Sequence, residues 1–556
     1  MTMQNTQDNQ DCPEPRKDRF WPDLWSAGAI AIAILVLSPI VAVIWIAFHP
    51  VENIWPHLIS TTLPRYMFNS ALMMVSVGVL AAIIGVSTAW LVVMYNFPGK
   101  RWLQWVLLFP LSIPAYVGAY ALVDFLEYAG AVQTILRETF GWAHSRDYWF
   151  PEIRSRWAAI LVISLSLYPY IYLLTRAAFR EQSGSTYDVA CALGAGPFQR
   201  FWRVGLPLVR PAVAAGIAIV MMETVSDFGT VEFFAVQTLT TGIFTVWLEA
   251  NNAGGAAQIS GIVLLMVLLL IGLERTSRRK QRFHEGARRK QPLVVIDLRG
   301  AQAWLAMFVC ILPVLAGFVL PVGVMMSHAL TNTDYWSNPR LLSALGNTVS
   351  VAGVAALVTV TAAVFMVYGV RLSGKRIPRL MMPATTIGYA APGAVLAVGI
   401  LIPMAAVDHI LADLIEMASG VDVGLMMTGS SFAVVFAYCV RFFAIAQGAA
   451  DGAMGRISPS LPMAARSLGR NAGDTLREVY TPLMRGSLLT ALLLVFVDCA
   501  KELPATLLLR PFNFNTLSTL VYEQASLENI GESSPAALMV IGVGMVAVLI
   551  MAKSNK

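Results

Sequence analysis

The sequence predicts an all-α polytopic membrane protein, with about twelve transmembrane helices arranged as two parallel six-helix repeats. Three observations predict it. Of 556 residues, 57% are hydrophobic and 13% are charged, whereas soluble domains carry about 25% charged residues. The apolar residues fall in long blocks, and a helix crossing ~30 Å of hydrocarbon needs roughly 20 of them. A polar, basic segment also occurs twice, once in each half of the chain: DVACALGAGPFQRFWRVGLPLVRPAV (Asp188–Val213) and MAARSLGRNAGDTLREVYTPLMRGSL (Met463–Leu488). The two copies align without a gap, and the register that pairs Asp188 with Met463 is used below to compare the halves.

Twelve blocks qualify as spans, centred near 27–48, 69–95, 103–126, 157–179, 211–229, 258–273, 302–326, 346–370, 380–405, 430–447, 486–504 and 536–552. Lys and Arg concentrate in alternate loops: Lys100 and Arg101, Arg180 to Arg210, Arg275 to Arg299, Lys375 to Arg379, Arg456 to Arg485, then Lys553 and Lys556. Excess basic residues mark cytoplasmic loops. An even number of spans then places both termini in the cytoplasm. The chain divides into a cytosolic tail (1–26), a first transmembrane domain (27–274), a basic linker (275–300) and a second transmembrane domain (301–553). The polar tail, with Asp8, Asp11 and Glu14, predicts no cleavable signal. The repeat extends upstream with small gaps: Asn69-Ser70 matches Asn347-Thr348, Gly99-Lys100-Arg101 matches Gly374-Lys375-Arg376, and Pro114 matches Pro392. Six spans per half give both copies the same orientation, with a pathway expected between two bundles lying side by side.

Several classes are excluded or set aside. The net charge of +6 follows the topology of the loops, so the basic stretch Glu274–Gln291 is read as a linker rather than a nucleic-acid site. The five cysteines form no CxxC pair and the histidines no HExxH, so neither disulfides nor a built metal centre is expected. A phosphate-binding Gly-x4-Gly-Lys-Ser/Thr is absent, because Arg follows both Gly99-Lys100 and Gly374-Lys375. The chain is therefore not expected to be an enzyme or to hold a cofactor. A major-facilitator carrier would place an acid in the basic loop after its second span, but NFPGKRW and RLSGKRIPR contain none.

In the repeated segments small residues (Ala190, Ala192, Ala464, Ala465, Ser467) allow a short helix to approach another surface closely. Gly194 and Gly469 can adopt positive φ and end that helix. Pro207 and Pro482, at the same spacing from the glycine in both copies, suit the first turn of the helix that returns to the membrane. The pattern Ala, Leu193/Leu468, Gly194/Gly469, then Leu206-Pro207 in the first copy and Thr481-Pro482 in the second, resembles the EAA motif of bacterial ATP-binding-cassette importer permeases, whose leucine before the proline the second copy lacks. The resemblance implies the type I importer transmembrane fold, with each loop seated in a groove of a separate ATP-binding subunit. It also implies two such subunits that bind ATP and Mg²⁺, a periplasmic substrate-binding protein, and location in the bacterial inner membrane with surrounding lipid. The motif's glutamate is Asp188 in the first copy and Met463 in the second, so the two sockets are expected to differ.

Acids inside spans are costly and are functional candidates by default. Glu223 and Asp227 in the fifth span, and Asp498 and Glu502 in the eleventh, occupy equivalent positions in the register of the two loops. Their i,i+4 spacing places each pair on one helical face. Two readings stay open: four carboxylates lining a cation route, or helix-end groups partly neutralised by Lys501 with an architectural role. The segments 230–257 and 505–535 are not settled by pattern, although TTGIFTVW (Thr240–Trp247) and NTLSTLVY (Asn515–Tyr522) align in the same register as short outer-side or re-entrant helices and candidate gates. The wording DFGTVEFF (Asp227–Phe234) and KELPATLLLRPFNFNTLSTLVYE (Lys501–Glu523) is similar to fused two-repeat permeases of iron(III) importers. That resemblance makes iron(III) the expected cargo, with thiamine, phosphonate or another small solute as alternatives. An ion-gradient-driven carrier using the four acids as proton relays is a further one.

Overall fold

The computed structural model describes residues 24–182, 184–279, 295–331, 333–421 and 424–554. Most of the expected tail (1–26) and much of the linker (275–300) lie outside the described residues. Among them, eleven helices are long and apolar enough to cross a membrane, and a bent pair, Lys100–Ser112 with Ala115–Phe140, raises the number to twelve. The helix Ala253–Arg279 runs past the boundary expected at 274.

Two of the expected spans are not single helices. The third, 103–126, is broken between Ser112 and Ala115 with a 93° bend. The ninth, 380–405, is broken in the same way: Arg376–Ala384 and Ile387–Ala390 are short, and the long helix Gly393–Ser419 starts after Pro392. The cause is common to both. Proline disfavours helical backbone in the residue before it, and Ile113 (ψ 119°) and Ala391 (ψ 126°) are extended. Pro114 and Pro392 then cap the helices that follow.

Each half is built on the same core. Leu63–Met94 packs along Arg156–Arg180 and Leu206–Ser226, as Pro339–Ser373 packs along Phe432–Gly455 and Thr481–Ala500. The halves are not two bundles lying side by side, however, because their first helices are exchanged. Leu24–Phe48 packs against Pro339–Ser373 and Gly393–Ser419 of the second half. The helix beginning at Ala301 packs against Leu63–Met94, Ala115–Leu126 and Arg156–Arg180 of the first. A glycine permits one crossing: a Cβ on Gly369 would lie 2.6 Å from the Trp25 carbonyl oxygen. Near the end of the linker, Ile296–Asp297 forms a two-residue parallel ladder with Tyr95–Asn96, and the Asn96 amide donates to Asp297 Oδ1 at 2.8 Å. The second half is thereby fastened to a loop of the first as soon as it begins.

Candidate functional site

The four acids converge. Glu223, Asp227, Asp498 and Glu502 line one cavity of about 140 Å³ where the two halves meet. They are not on uninterrupted helical faces, as the i,i+4 spacing had suggested. Leu206–Ser226 ends just before Asp227, and Thr481–Ala500 ends just before Lys501 and Glu502. The chain turns there, so the second acid of each pair serves the next element. Asp227 accepts bonds from Thr230 N, Val231 N and Thr230 Oγ1 at 3.0, 3.2 and 2.9 Å, closing the first turn of Gly229–Phe233. Glu502 accepts from Ala505 N at 3.2 Å at the start of Pro504–Leu509.

Two cations share the cavity, and both belong to the second half. Arg441 Nη1 lies 2.9 Å from Glu502 Oε1, with side chains 9% and 6% exposed. Lys501 Nζ lies 2.9 Å from Asp498 Oδ1, with side chains about a quarter exposed. Lys501 was expected from sequence; Arg441 was not. Its signal was nevertheless present, as a lone arginine in the middle of the predicted span 430–447, where an unpaired charge would be expensive. Four carboxylates against two cations leave the lining with a formal charge of −2. Among the described residues Glu223 has no ion pair of its own. Its charged neighbours are Arg441, Asp498, Lys501 and Glu502.

Short helices, matching the expected outer-side or re-entrant elements, occur in both segments whose structure the pattern left open, Leu239–Phe244 and Leu517–Ser526. Each opens with a threonine capping box, Thr238 with Thr241 and Thr516 with Thr519. Their equivalence departs from the register of the loops and acids: Leu239 corresponds to Leu517, not to Phe514. Asn69 and Asn347 donate to the carbonyls of Gln237 and Asn515 at 2.8 and 2.9 Å. Ser70 and Thr348 hydroxyls accept from the amides of Leu239 and Leu517 at 2.9 and 2.8 Å. Thr240 and Ser518 donate back to Val225 and Ala500, in the last turns of the acid-bearing helices. A short insertion in the second half, between Glu502 and Asn515, accounts for the shift. Phe228, in the cavity wall, stacks on Phe244 at 3.6 Å between ring centres and lies 5.7 Å from Tyr522. These aromatic contacts join the cavity wall to both short capped helices.

The repeated loops stand at the other end of the same helices. Gly184–Ala192 and Ser460–Ser467 are short helices, each ended by a glycine in the left-handed region: Gly194 at φ +80° and Gly469 at φ +83°. Both ends close by the same backbone bond, Ala195 N to Ala190 O and Arg470 N to Ala465 O, at 3.0 and 3.1 Å. The following helices begin earlier than the prolines suggested, at Pro197 and Ala472. Each passes through one wider π turn, Phe201–Gly205 and Leu476–Tyr480, immediately before Pro207 and Pro482. A proline inside a helix removes a backbone donor, and the wider turn shifts the hydrogen-bond register just ahead of it.

The loops present apolar side chains outward. Leu193 and Leu468 are 82% and 83% exposed, and Val189, Phe198, Trp202, Leu461 and Met463 are exposed as well. Asp188 and Ala464 are exposed, whereas Ala190 faces inward, contrary to its expected place in the docking face. Leucines so closely matched in exposure across two copies form a repeated apolar surface of the sort that marks a partner site.

Comparison with known proteins agrees with this geometry. Residues 74–282 match the family described as the binding-protein-dependent transport system inner membrane component. The chain is 27% identical over 497 residues to the Fe(3+)-transport system permease protein FbpB 2 of Haemophilus influenzae, covering 87% of this chain and 89% of that one. It is 23% identical over 508 residues to a putative ferric transport system permease protein, FbpB 1, of the same organism, covering 86% of this chain and 76% of the relative. A shorter relative, the molybdenum transport system permease protein ModB of Escherichia coli, is 28% identical over 206 residues, 35% of this chain and 86% of its own length. With its paired repeats and multiple membrane-spanning helices, the chain matches that family over residues 74–282 and resembles the ferric permeases along most of its length.

Proposed function

We propose that this chain is the transmembrane permease subunit of an ATP-driven importer that passes a cation, iron(III) first among candidates, from a periplasmic binding protein to the cytoplasm. The observation that carries the cargo class is the cavity between the halves, whose lining bears a formal charge of −2. A low-dielectric passage with two uncompensated carboxylates attracts a cation and repels sulfate or phosphonate. Iron(III) is a hard cation suited to oxygen donors, and the two relatives that match along most of the chain are named for ferric transport. Leu193, Gly194, Leu468 and Gly469 mark the two surfaces on which ATP-binding subunits dock. Those subunits supply ATP, Mg²⁺ and hydrolysis, and this chain supplies the passage. Docking places the loops, and with them both chain termini, on the cytoplasmic side of the inner membrane.

Closure of the two ATP-binding subunits would draw the loops together. The helices Pro197–Ser226 and Ala472–Ala500 connect each loop rigidly to its acids, so that movement would reach the cavity directly. The test is reconstitution in proteoliposomes with the ATP-binding subunit and the loaded binding protein. ATP-dependent uptake of radiolabelled iron(III), exceeding that of thiamine and phosphonate, is expected. Uptake of thiamine or phosphonate instead would replace the cargo. Uptake by the chain alone, abolished by an uncoupler and indifferent to ATP, would show an ion-gradient-driven carrier in which the acids relay protons.

A further inference from the structure

We propose that the four cavity acids divide by role: Glu223 and Asp498 hold the passing cation, with Lys501 as a tethered counter-ion that the cargo displaces, while Asp227 and Glu502 hold the backbone. This division rests on the cation reading above.

The hydrogen bonds separate the pairs. Asp227 and Glu502 are equivalent in the two halves, and each accepts from the short helix that follows it, Asp227 with both oxygens and Glu502 with Oε1. Glu502 is further committed to Arg441 in a pair that is almost wholly buried. Glu223 and Asp498, the other equivalent pair, close no turn. Among the described residues Asp498 is paired only with Lys501, its i,i+3 neighbour, and both side chains remain about a quarter exposed. A cation entering between Glu223 and Asp498 replaces one positive partner of Asp498 with another, so the carboxylate is not left bare at any stage.

Oxygen donors complete the site. Tyr170 and Tyr389 line the same cavity, one from each half, and their charged neighbours are Glu223, Asp498 and Arg441. Tyr116 also lines it and is 5% exposed; among the described residues its buried hydroxyl has no hydrogen-bond partner within 3.5 Å, with Ser518 as its polar neighbour. Carboxylates and phenol oxygens suit a hard cation. Among the described residues no three His, Cys, Asp or Glu side chains converge to chelate a metal. Two acids with a displaceable lysine make a site for transit rather than storage.

Two measurements separate this division from a purely structural role. In thermal melting, E223Q removes a carboxylate that closes no turn and should leave the melting temperature unchanged or raised, whereas D227N and E502Q should lower it. In the reconstituted complex, E223Q and D498N should each reduce iron(III) uptake about tenfold or more, the equivalent of one lost charge contact. Binding is read with terbium(III) on the detergent-purified chain, by emission sensitised by nearby tyrosines. K501M should tighten that binding roughly tenfold and E223Q should weaken it by a similar factor. Wild-type uptake by E223Q, or terbium emission unmoved by both K501M and E223Q, would overturn the division. If the wild-type complex carries thiamine or phosphonate and not iron(III), the cargo reading falls whatever the variants do. If wild type and E223Q carry iron(III) equally, only the division falls.

Discussion

Ser166 and Ser226 stand in the first half where Arg441 and Lys501 stand in the second, in the register that pairs Asp188 with Met463. The acids are duplicated and the cations are not. Ser166 donates to the carbonyl of Ile113 at 2.9 Å and Ser226 to that of Met222, so both serve their own backbone. The first half therefore offers carboxylates without a counter-ion of their own, and the second offers carboxylates already paired with cations. The halves also differ in the helix after the proline break. Ala115–Leu126 has 12 residues, about 18 Å at 1.5 Å per residue, and its counterpart Gly393–Ser419 has 27. Duplication preserved the frame, the loops and the short capped helices, and divergence is concentrated around the passage. One half can then attract a cation while the other limits how tightly it is held.

The largest expected effect breaks the charge asymmetry. Arg441→Met leaves Glu502 buried without its cation and should cost about 3–5 kcal/mol of stability. Ser166→Ala, its equivalent, should cost about 1 kcal/mol. Denaturation of both variants in nanodiscs checks this, and equal losses would refute the asymmetry. Next in size are the docking loops. Leu193→Asp and Leu468→Asp should each weaken binding of the ATP-binding subunit by about 2 kcal/mol, roughly 30-fold in Kd. Titrating that subunit onto the permease measures it, and unequal losses would show that Asp188 and Met463 mark unequal sockets.

A smaller and symmetric effect is expected above the cavity. Asn69→Ala and Asn347→Ala each remove one side-chain bond to a short capped helix and should cost about 1 kcal/mol apiece. A shared shift in melting temperature would support their equivalence, and a shift in one alone would refute it. The smallest effect belongs to Gly194→Ala and Gly469→Ala. Open space surrounds both positions, so only the left-handed backbone is strained, by about 1 kcal/mol or less. Hydrogen exchange confined to the last turn of each loop helix would report it. A bulkier valine at either glycine should also uncouple hydrolysis from uptake.

Much of this architecture was legible because it rests on local chemistry that repeats. The glycines at 194 and 469 end helices wherever such a helix occurs, and the acids stood out because their surroundings were apolar. The prolines at 114 and 392 were visible too, but their consequence was missed: hydropathy runs on through a bend that only backbone geometry reveals. The register of the short capped helices escaped for a different reason. Aligning Thr240 with Asn515 extends an ungapped match, whereas the hydroxyl bonds to Ser70 and Thr348 show that Thr240 corresponds to Ser518. The exchange of first helices was not legible at all, since a span that is apolar on every side does not specify which helix it will meet.

That exchange governs the order in which the molecule can be completed. Leu24–Phe48 leaves the ribosome early and meets Ala253–Arg279 within its own half, yet its other partners, Pro339–Ser373 and Gly393–Ser419, start only beyond the linker. At about 5–20 residues per second the interval is roughly 15–60 s. Throughout it, the face of the first helix that will meet the second half, with Ala29 beside Gly369 and Val43 beside Gly399, stays uncovered. The first half cannot mature before the second, so the chain folds as one cooperative unit despite its two repeats. Cutting the backbone between 279 and 295 after assembly would leave the halves fastened together, whereas stopping synthesis before Pro339 would leave the first half unfinished.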